Sequence, residues 1–169
     1  MRRSIIIFPK FEELQIIQDI RKKYDPLATC IAPHITIVFP FESDILTQQL
    51  KQHVASVLRN INKFEVELRD ITGDIGSGYL FLNVKKGNDQ IIELHDKLYS
   101  GILKKFLCRK LTYFPHLTVG RIEDKDMFDN AINELCDFHI QFKTIIDEVS
   151  AEIIDEEQNS IIEFTVNLN

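Results

Sequence analysis

The chain of 169 residues has the size of one compact domain, with 44% hydrophobic residues, 27% charged residues and a net charge of −6. The negative charge excludes the general basic surface of a non-specific nucleic-acid binder, so an anionic substrate needs a local cluster of cations. Three cysteines without a C-x-x-C pair predict reduced thiols and a cytoplasmic location. No apolar run approaches the roughly 20 residues of a membrane span.

The first half of the chain predicts the order strand, helix, strand, helix, strand. Short apolar runs and strict alternation indicate the strands, and apolar residues at helical spacing indicate the helices. Asp25-Pro26 ends the first helix, because proline cannot continue it. The predicted elements are Ser4–Phe8, Phe11–Lys23, a strand after Pro33 that ends at Phe39-Pro40-Phe41, a helix capped by Ser43 or Asp44 that runs to about Asn60, and Phe64–Leu68.

The second half predicts the same order again and adds two strands. Gly73, Gly76 and Gly78 lie between the halves and predict a loop; no phosphate-binding G-x-x-x-x-G-K-[ST] motif is present. The predicted elements are Tyr79–Val84, a helix from Asn88 to Lys104-Lys105, a strand after Pro115, a helix over Asp124–Cys136, and strands over Phe138–Phe142, Ser150–Ile154 and Ile161–Leu168.

A short motif occurs once in each half. Pro33-His34-Ile35-Thr36 is followed 82 residues later (34 to 116) by Pro115-His116-Leu117-Thr118. Two lysines and an aromatic residue precede each copy at matching distances, in Lys22-Lys23-Tyr24 and Lys104-Lys105-Phe106. Only about 0.2 H-x-T triplets are expected by chance in a chain of this composition. The repetition therefore indicates a duplicated unit with two histidines at one site.

Strand geometry predicts where these side chains point. Side chains alternate between the two faces of a strand, so each histidine shares a face with the threonine two residues later. His34 with Thr36, and His116 with Thr118, would face a common cleft, while the apolar residues between them are buried. Arg121 falls on the opposite face by strict alternation, unless a bulge at Gly120 turns it toward the cleft.

The element order predicts an α/β fold of the α+β type. We expect two mixed or antiparallel sheets with outer helices, related by an approximate twofold axis around a central cleft. No linker rich in Pro, Gly or Ser separates the halves. The chain is therefore predicted to form a single bilobal domain over residues 1–169, with approximate repeats 1–77 and 78–169.

The tandem motifs His34-Ile35-Thr36-Ile37 and His116-Leu117-Thr118-Val119 resemble the paired H-x-T-x motifs of the two-histidine (2H) phosphoesterase superfamily. Within it, the chain is most similar to the 2′-5′ RNA ligase-like proteins, and the resemblance covers nearly the whole chain. Arg121 resembles the last residue of the H-x-T-x-x-R form of the motif. In the first motif, Phe39 stands at that position.

This resemblance implies a metal-independent phosphoesterase that uses no cofactor. Its substrates would be RNA ends or small nucleotides with a 2′,3′-cyclic phosphate or a 2′-5′ linkage. It implies neither a membrane partner nor an obligate protein partner. A 2′-5′ RNA ligase and a nucleotide-binding module without turnover remain alternatives.

The implied chemistry fits the residue types. Imidazole titrates near neutral pH, so His34 and His116 can serve as general base and general acid, in either assignment. The hydroxyls of Thr36 and Thr118 can hydrogen-bond the phosphate oxygens as charge builds there. Arg121 would add a fixed positive charge.

Several other residues have two readings. The lysine pairs could line the cleft or lie solvated at helix ends, and Tyr113 and Phe114 could stack on a base or pack within a loop. A zinc site is disfavoured because no ligand spacing supports it. The residues considered for zinc are Cys30, His34, Cys108 and His116. The histidines without a surrounding motif, to which no role is assigned, are His53, His95 and His139.

Overall fold

A computed structural model describes residues 1–169 as an α+β fold with eight strands and four α-helices. The predicted apolar runs form strands, and the predicted amphipathic segments form helices that bury their apolar side. The strands are β1 (Arg2–Ile7), β2 (Ile35–Glu42), β3 (Phe64–Asp74), β4 (Tyr79–Lys86), β5 (His116–Arg121), β6 (Phe142–Ile146), β7 (Glu148–Ile154) and β8 (Ser160–Asn167). The helices are α1 (Leu14–Tyr24), α2 (Thr47–Leu58), α3 (Asn88–Leu98) and α4 (Lys125–Leu135).

All neighbouring strands pair antiparallel, in the order β6-β3-β4-β5-β2-β1-β7-β8. The central strands β2 and β5 share a single residue pair, Ile35 with Leu117. Two four-stranded halves therefore meet at one point, and each contributes a motif strand there. The predicted fold class is confirmed, with the two sheets joined at their inner edges into one curled sheet.

The two halves of the sheet do not coincide with the two halves of the chain. Strand β3 pairs with β4, whereas β7 and β8 from the end of the chain extend the half that contains β1 and β2. Each half-sheet thus contains elements from both sides of the predicted boundary. The division into repeats 1–77 and 78–169 stays a prediction.

The hydrophobic core lies between the sheet and the helices. Ile35 and Leu117 are fully buried, whereas the histidine and threonine on either side of each are only half-buried. This burial follows the expected alternation. None of the helices combines the length and the apolar character needed to cross a membrane. The cytoplasmic location stays a prediction.

The strand predicted over Phe138–Phe142 is wrong by four residues. The observed strand runs from Phe142 to Ile146 and pairs along β3. The preceding residues 138–141 also alternate between apolar and polar side chains, but they form a packed loop. Phe138 stacks on Phe142, with their ring centroids 6.1 Å apart, and His139 pairs with Asp70 on the surface.

Other boundaries also differ from the prediction. Strand β2 continues through Pro40 to Glu42, because a register shift opposite β1 places this proline in a bulge, where a missing N–H is tolerated. Helix α2 begins at Thr47, because residues 43–46 have no helical structure. Helix α3 ends at Leu98, and residues 101–106 form a separate 3₁₀ helix. Gly73 belongs to β3 and not to the loop.

Candidate active site

The two halves of the sheet enclose a cleft of about 610 Å³. All five predicted site residues line it, and they come from the two motif strands and the residues beside them. These residues are His34, Thr36, His116, Thr118 and Arg121.

The pair between Ile35 and Leu117 sets the relation of the two motifs. In this antiparallel register, the residues on either side lie on the cleft face, with His34 opposite Thr118 and Thr36 opposite His116. The two histidines are then diagonal neighbours, about 7–8 Å apart in such a pair. The arrangement has twofold character, and one phosphate group can lie between the rings.

Both histidines are held in the same way. The Nδ1 atom of His34 lies 2.9 Å from the carbonyl oxygen of Ala32, and that of His116 lies 2.9 Å from the carbonyl of Phe114. A carbonyl oxygen only accepts, so Nδ1 carries the proton and donates in each ring. Nε2 is therefore the nitrogen available to a substrate in both cases.

The electrostatic surroundings of the two rings differ. Burial is the main cause that lowers the pKa of His34 to about 4, and the positive charges of Arg21 and Arg121 act in the same direction. The hydrogen bond to the Ala32 carbonyl and the negative charge of Asp25 oppose them. Burial also lowers the pKa of His116, but no cation contributes there. The neutral, proton-accepting form is thus favoured more strongly at His34.

Arg121 reaches the cleft because β5 contains a bulge. Leu80 pairs with Gly120 but Phe81 pairs with Thr118, so β5 has one extra residue and the alternation changes phase. Gly120 permits the close approach, since a Cβ there would lie 2.9 Å from a methyl carbon of Leu80. The bulge turns Arg121 to the face that holds His116.

An ion pair then fixes the Arg121 guanidinium. Its Nη1 donates to Oδ1 of Asp25 at 2.5 Å, and its Cζ lies 5.5 Å from the centre of the Tyr79 ring. The other Asp25 oxygen accepts from Nε and Nη2 of Arg21, at 3.1 and 3.0 Å. The side chains of Arg21 and Asp25 are 1% and 0% exposed. Asp25 thus joins a buried cation to the one that faces the cleft.

Sequence reasoning missed this pair. The dipeptide Asp25-Pro26 predicts only the end of a helix, although the i,i+4 spacing of Asp25 from Arg21 is a signal for an ion pair. Nothing in the sequence indicated that Arg121, 96 residues away, would join them.

Tyr113 connects the two motifs directly. It precedes the second motif, and its hydroxyl donates to the main-chain carbonyl of Thr36 at 2.9 Å. Its ring stacks on His95 with 3.7 Å between centroids, and Nδ1 of His95 donates to the carbonyl of Ile37 at 2.8 Å. These bonds hold β2 where its pairing with β5 ends. Tyr113 is therefore a packing residue, whereas Phe114 is 44% exposed and lines the cleft.

We expect Tyr113→Phe to lower the free energy of unfolding by about 1 kcal/mol, the net value of one hydrogen bond. The cleft should lose activity because the spacing of the two motifs is less constrained, with a fall in kcat and little change in KM. Thermal unfolding and steady-state kinetics test this. Tyr99→Phe is the matched control, because its hydroxyl accepts a hydrogen bond at 3.0 Å from the N–H of Phe39, three residues beyond Thr36. Equal losses of kcat in both variants would contradict the role of the Tyr113 hydroxyl in fixing the spacing of the two motifs.

The remaining candidates lie elsewhere. None of the four lysines lines the cleft; Lys22 pairs with Asp19 and Lys23 pairs with Glu134. No three His, Cys, Asp or Glu side chains come together as a possible metal site.

The curled antiparallel sheet brings one H-x-T strand from each half to a single cleft, which is the arrangement expected of the two-histidine phosphoesterase class. The sequence agrees: the family model of the 2′-5′ RNA ligase superfamily matches residues 8–157, and the chain belongs to this superfamily.

Individual relatives are similar over most of their length. A protein of Geobacillus kaustophilus named "Putative phosphoesterase" is 32% identical over 72% of this chain and 69% of its own. One of the same description from Bacillus licheniformis is 27% identical over 80% of this chain and 79% of its own. The crystal structure of E. coli LigT in apo form has a TM-score of 0.69 at 16% identity, covering 99% of this chain and 97% of LigT; LigT has also been crystallised with 3′-AMP.

Proposed function

We propose that this protein is a metal-independent phosphoesterase that opens 2′,3′-cyclic phosphates, or cleaves 2′-5′ phosphodiester bonds, of RNA or nucleotides. The observation that carries the proposal is the pair of identically held histidines, each with Nε2 free, in one cleft. One phosphate between them meets a base on one side and an acid on the other. The similarity to LigT, which has been crystallised with 3′-AMP, supports a nucleotide substrate.

The difference in surroundings assigns the two roles. His34, whose neutral form is favoured by burial and by Arg21 and Arg121, takes a proton from water on Nε2. The water oxygen bonds to phosphorus as the bond from phosphorus to the ribose oxygen breaks. His116 in its protonated form gives the Nε2 proton to that leaving oxygen. The product is a phosphomonoester beside a free hydroxyl, and a proton passes from His34 to His116 through solvent before the next turnover.

The threonines and Arg121 would stabilise the charge that develops on the phosphate. In the register of the central pair, Thr118 lies opposite His34 and Thr36 lies opposite His116. One hydroxyl can thus donate to a non-bridging oxygen from each side. Arg121 keeps net positive charge for the phosphate, because the charge of Asp25 is also shared with Arg21.

The direct test is hydrolysis of the four nucleoside 2′,3′-cyclic phosphates by the purified protein in the presence of EDTA. We expect phosphomonoester product at an undiminished rate, since the histidines and threonines supply the acid–base chemistry. Chromatography or phosphorus NMR identifies which ester bond breaks. Loss of activity on chelation, with recovery on adding a divalent ion, would reject the metal-independent mechanism.

We also expect a bell-shaped dependence of kcat/KM on pH, because one histidine must be neutral and the other protonated in the free enzyme. The acid limb should lie near pH 4, where His34 gains a proton, and the alkaline limb below 6.5, since burial lowers the pKa of His116. Arg121→Gln removes a cation that lowers the His34 pKa, so it should move the acid limb to higher pH. An unmoved acid limb in this variant would contradict the assignment of His34 as base.

A further inference from the structure

The two walls of the cleft differ in chemistry. On the side of β4 and β5, the rings of Phe81 and Phe114 surround His116, with centroids 4.4 and 4.5 Å from the imidazole. The opposite wall comes from β1, β7 and β8 and contains Glu152, Ser4 and Ser160, together with Arg2, whose Nη1 donates to Gln158 at 2.9 Å. The proposed hydrolysis uses the phosphate site between these walls and leaves Glu152 without a role.

Glu152 is an unusual residue for a buried position. It is 2% exposed, and it is paired with no cation. Its Oε1 accepts from the Ser4 hydroxyl at 2.5 Å, and its Oε2 accepts from the Ser160 hydroxyl. A carboxylate oxygen has about two lone-pair positions, so each oxygen keeps one free acceptor site. Burying such a group without a countercharge costs free energy. Because this wall lines the cleft, the free acceptor sites of Glu152 indicate a place where the donors of a ligand can bind.

The sheet register places this carboxylate at a suitable distance from the phosphate site. Thr36 pairs with Ile6, and Glu152 pairs with Ser4, two residues further along β1. Glu152 is thus two strands across and two residues along from Thr36, which separates their Cα atoms by roughly 12 Å in a regular sheet. Side chains shorten that gap, and a nucleoside whose phosphate lies at the threonines can reach Glu152 with its base.

The four bases differ in whether their donors can match the Glu152 carboxylate. A carboxylate only accepts hydrogen bonds, and its two oxygens fit two adjacent N–H donors. Guanine presents such a pair, N1–H beside the 2-amino group. Adenine and cytosine place a ring acceptor beside their amino group, and uracil places its N–H between two carbonyls. The ribose offers no diol here, because both hydroxyls are esterified in a 2′,3′-cyclic phosphate.

We propose that Glu152, held by Ser4 and Ser160, reads the base of the substrate and makes the enzyme selective for guanosine 2′,3′-cyclic phosphate or RNA that ends in it. This inference rests on the proposed phosphoesterase function and adds the substrate class.

The test compares kcat/KM for the four nucleoside 2′,3′-cyclic phosphates in the wild type and in Glu152→Gln. The wild type should prefer guanosine by about tenfold or more, the scale of a charge-assisted hydrogen-bond pair. Glu152→Gln should lose that preference through a higher KM for guanosine alone. Glu148→Gln is the control, because Glu148 lies on the same strand but pairs with Lys10 outside the cleft.

A binding measurement separates this proposal from the proposed hydrolysis. Calorimetry with 3′-GMP and 3′-AMP should show the same preference even if no cyclic phosphate is turned over. Should Glu152→Gln unfold, Ser160→Ala should weaken the guanosine preference at unchanged adenosine kinetics. Equal kcat/KM for all four bases in the wild type, or an equal loss for all four in the variants, would overturn the role of Glu152.

Discussion

Replacing either His34 or His116 with alanine should lower kcat by at least about 10²-fold, the usual contribution of one general acid or base. Each ring presents its Nε2 to the cleft from its own strand. Because one ring acts as base and the other as acid, neither can replace the other. Hydrolysis of a cyclic nucleotide at saturating concentration measures the effect. His139→Ala is the matched control, since that histidine is exposed and bonds Asp70 on the surface.

Combining the two changes should cost much less than the product of the single losses, because residues that act as a unit are not additive. Thr36→Ala and Thr118→Ala each remove one hydrogen bond to the developing charge on the phosphate. Each should therefore lower kcat less than alanine at the neighbouring histidine does. If His34→Ala kept its full kcat with an unchanged thermal midpoint, the binding-module alternative would replace the enzyme.

Sequence reasoning succeeded where a local pattern is sufficient to define structure. The two Pro-His-apolar-Thr segments specify strand direction and face, so the gathering of His34, Thr36, His116 and Thr118 in one cleft followed from alternation and repetition.

Features that depend on partners distant in the chain could not be predicted. The sequence left two faces open for Arg121, strict alternation or a bulge at Gly120, and only the pairing of β5 with β4 shows that the bulge forms. The tie from Tyr113 to Thr36 spans 77 residues, and Glu152 meets Ser4 across 148. Strand β6 was misplaced because an alternating run and a packed loop look alike until the partner strand is known.

The buried ion pair at the end of α1 leads to the largest expected effect on stability. Asp25→Ala leaves the guanidinium of Arg21 buried without a countercharge and removes the anchor of Arg121. Breaking a buried pair by removing one partner costs about 3–5 kcal/mol, so the free energy of unfolding should fall by that amount. Denaturant unfolding measures it. Asp129→Ala is the control, because the exposed i,i+4 pair with Lys125 should contribute less than about 1 kcal/mol.

A second variant separates stability from the role of Arg121. Replacing both buried partners with apolar residues, as Arg21→Met with Asp25→Leu, removes the unpaired charge and should recover most of the stability. Arg121 would still lack its carboxylate anchor, so its guanidinium would no longer be fixed toward the phosphate. The double variant should therefore fold well and remain impaired in kcat. If the double variant regained wild-type kcat, Asp25 would not be what positions Arg121. If Asp25→Ala lost less than about 1 kcal/mol, the buried pair with Arg21 would not stabilise the fold as expected.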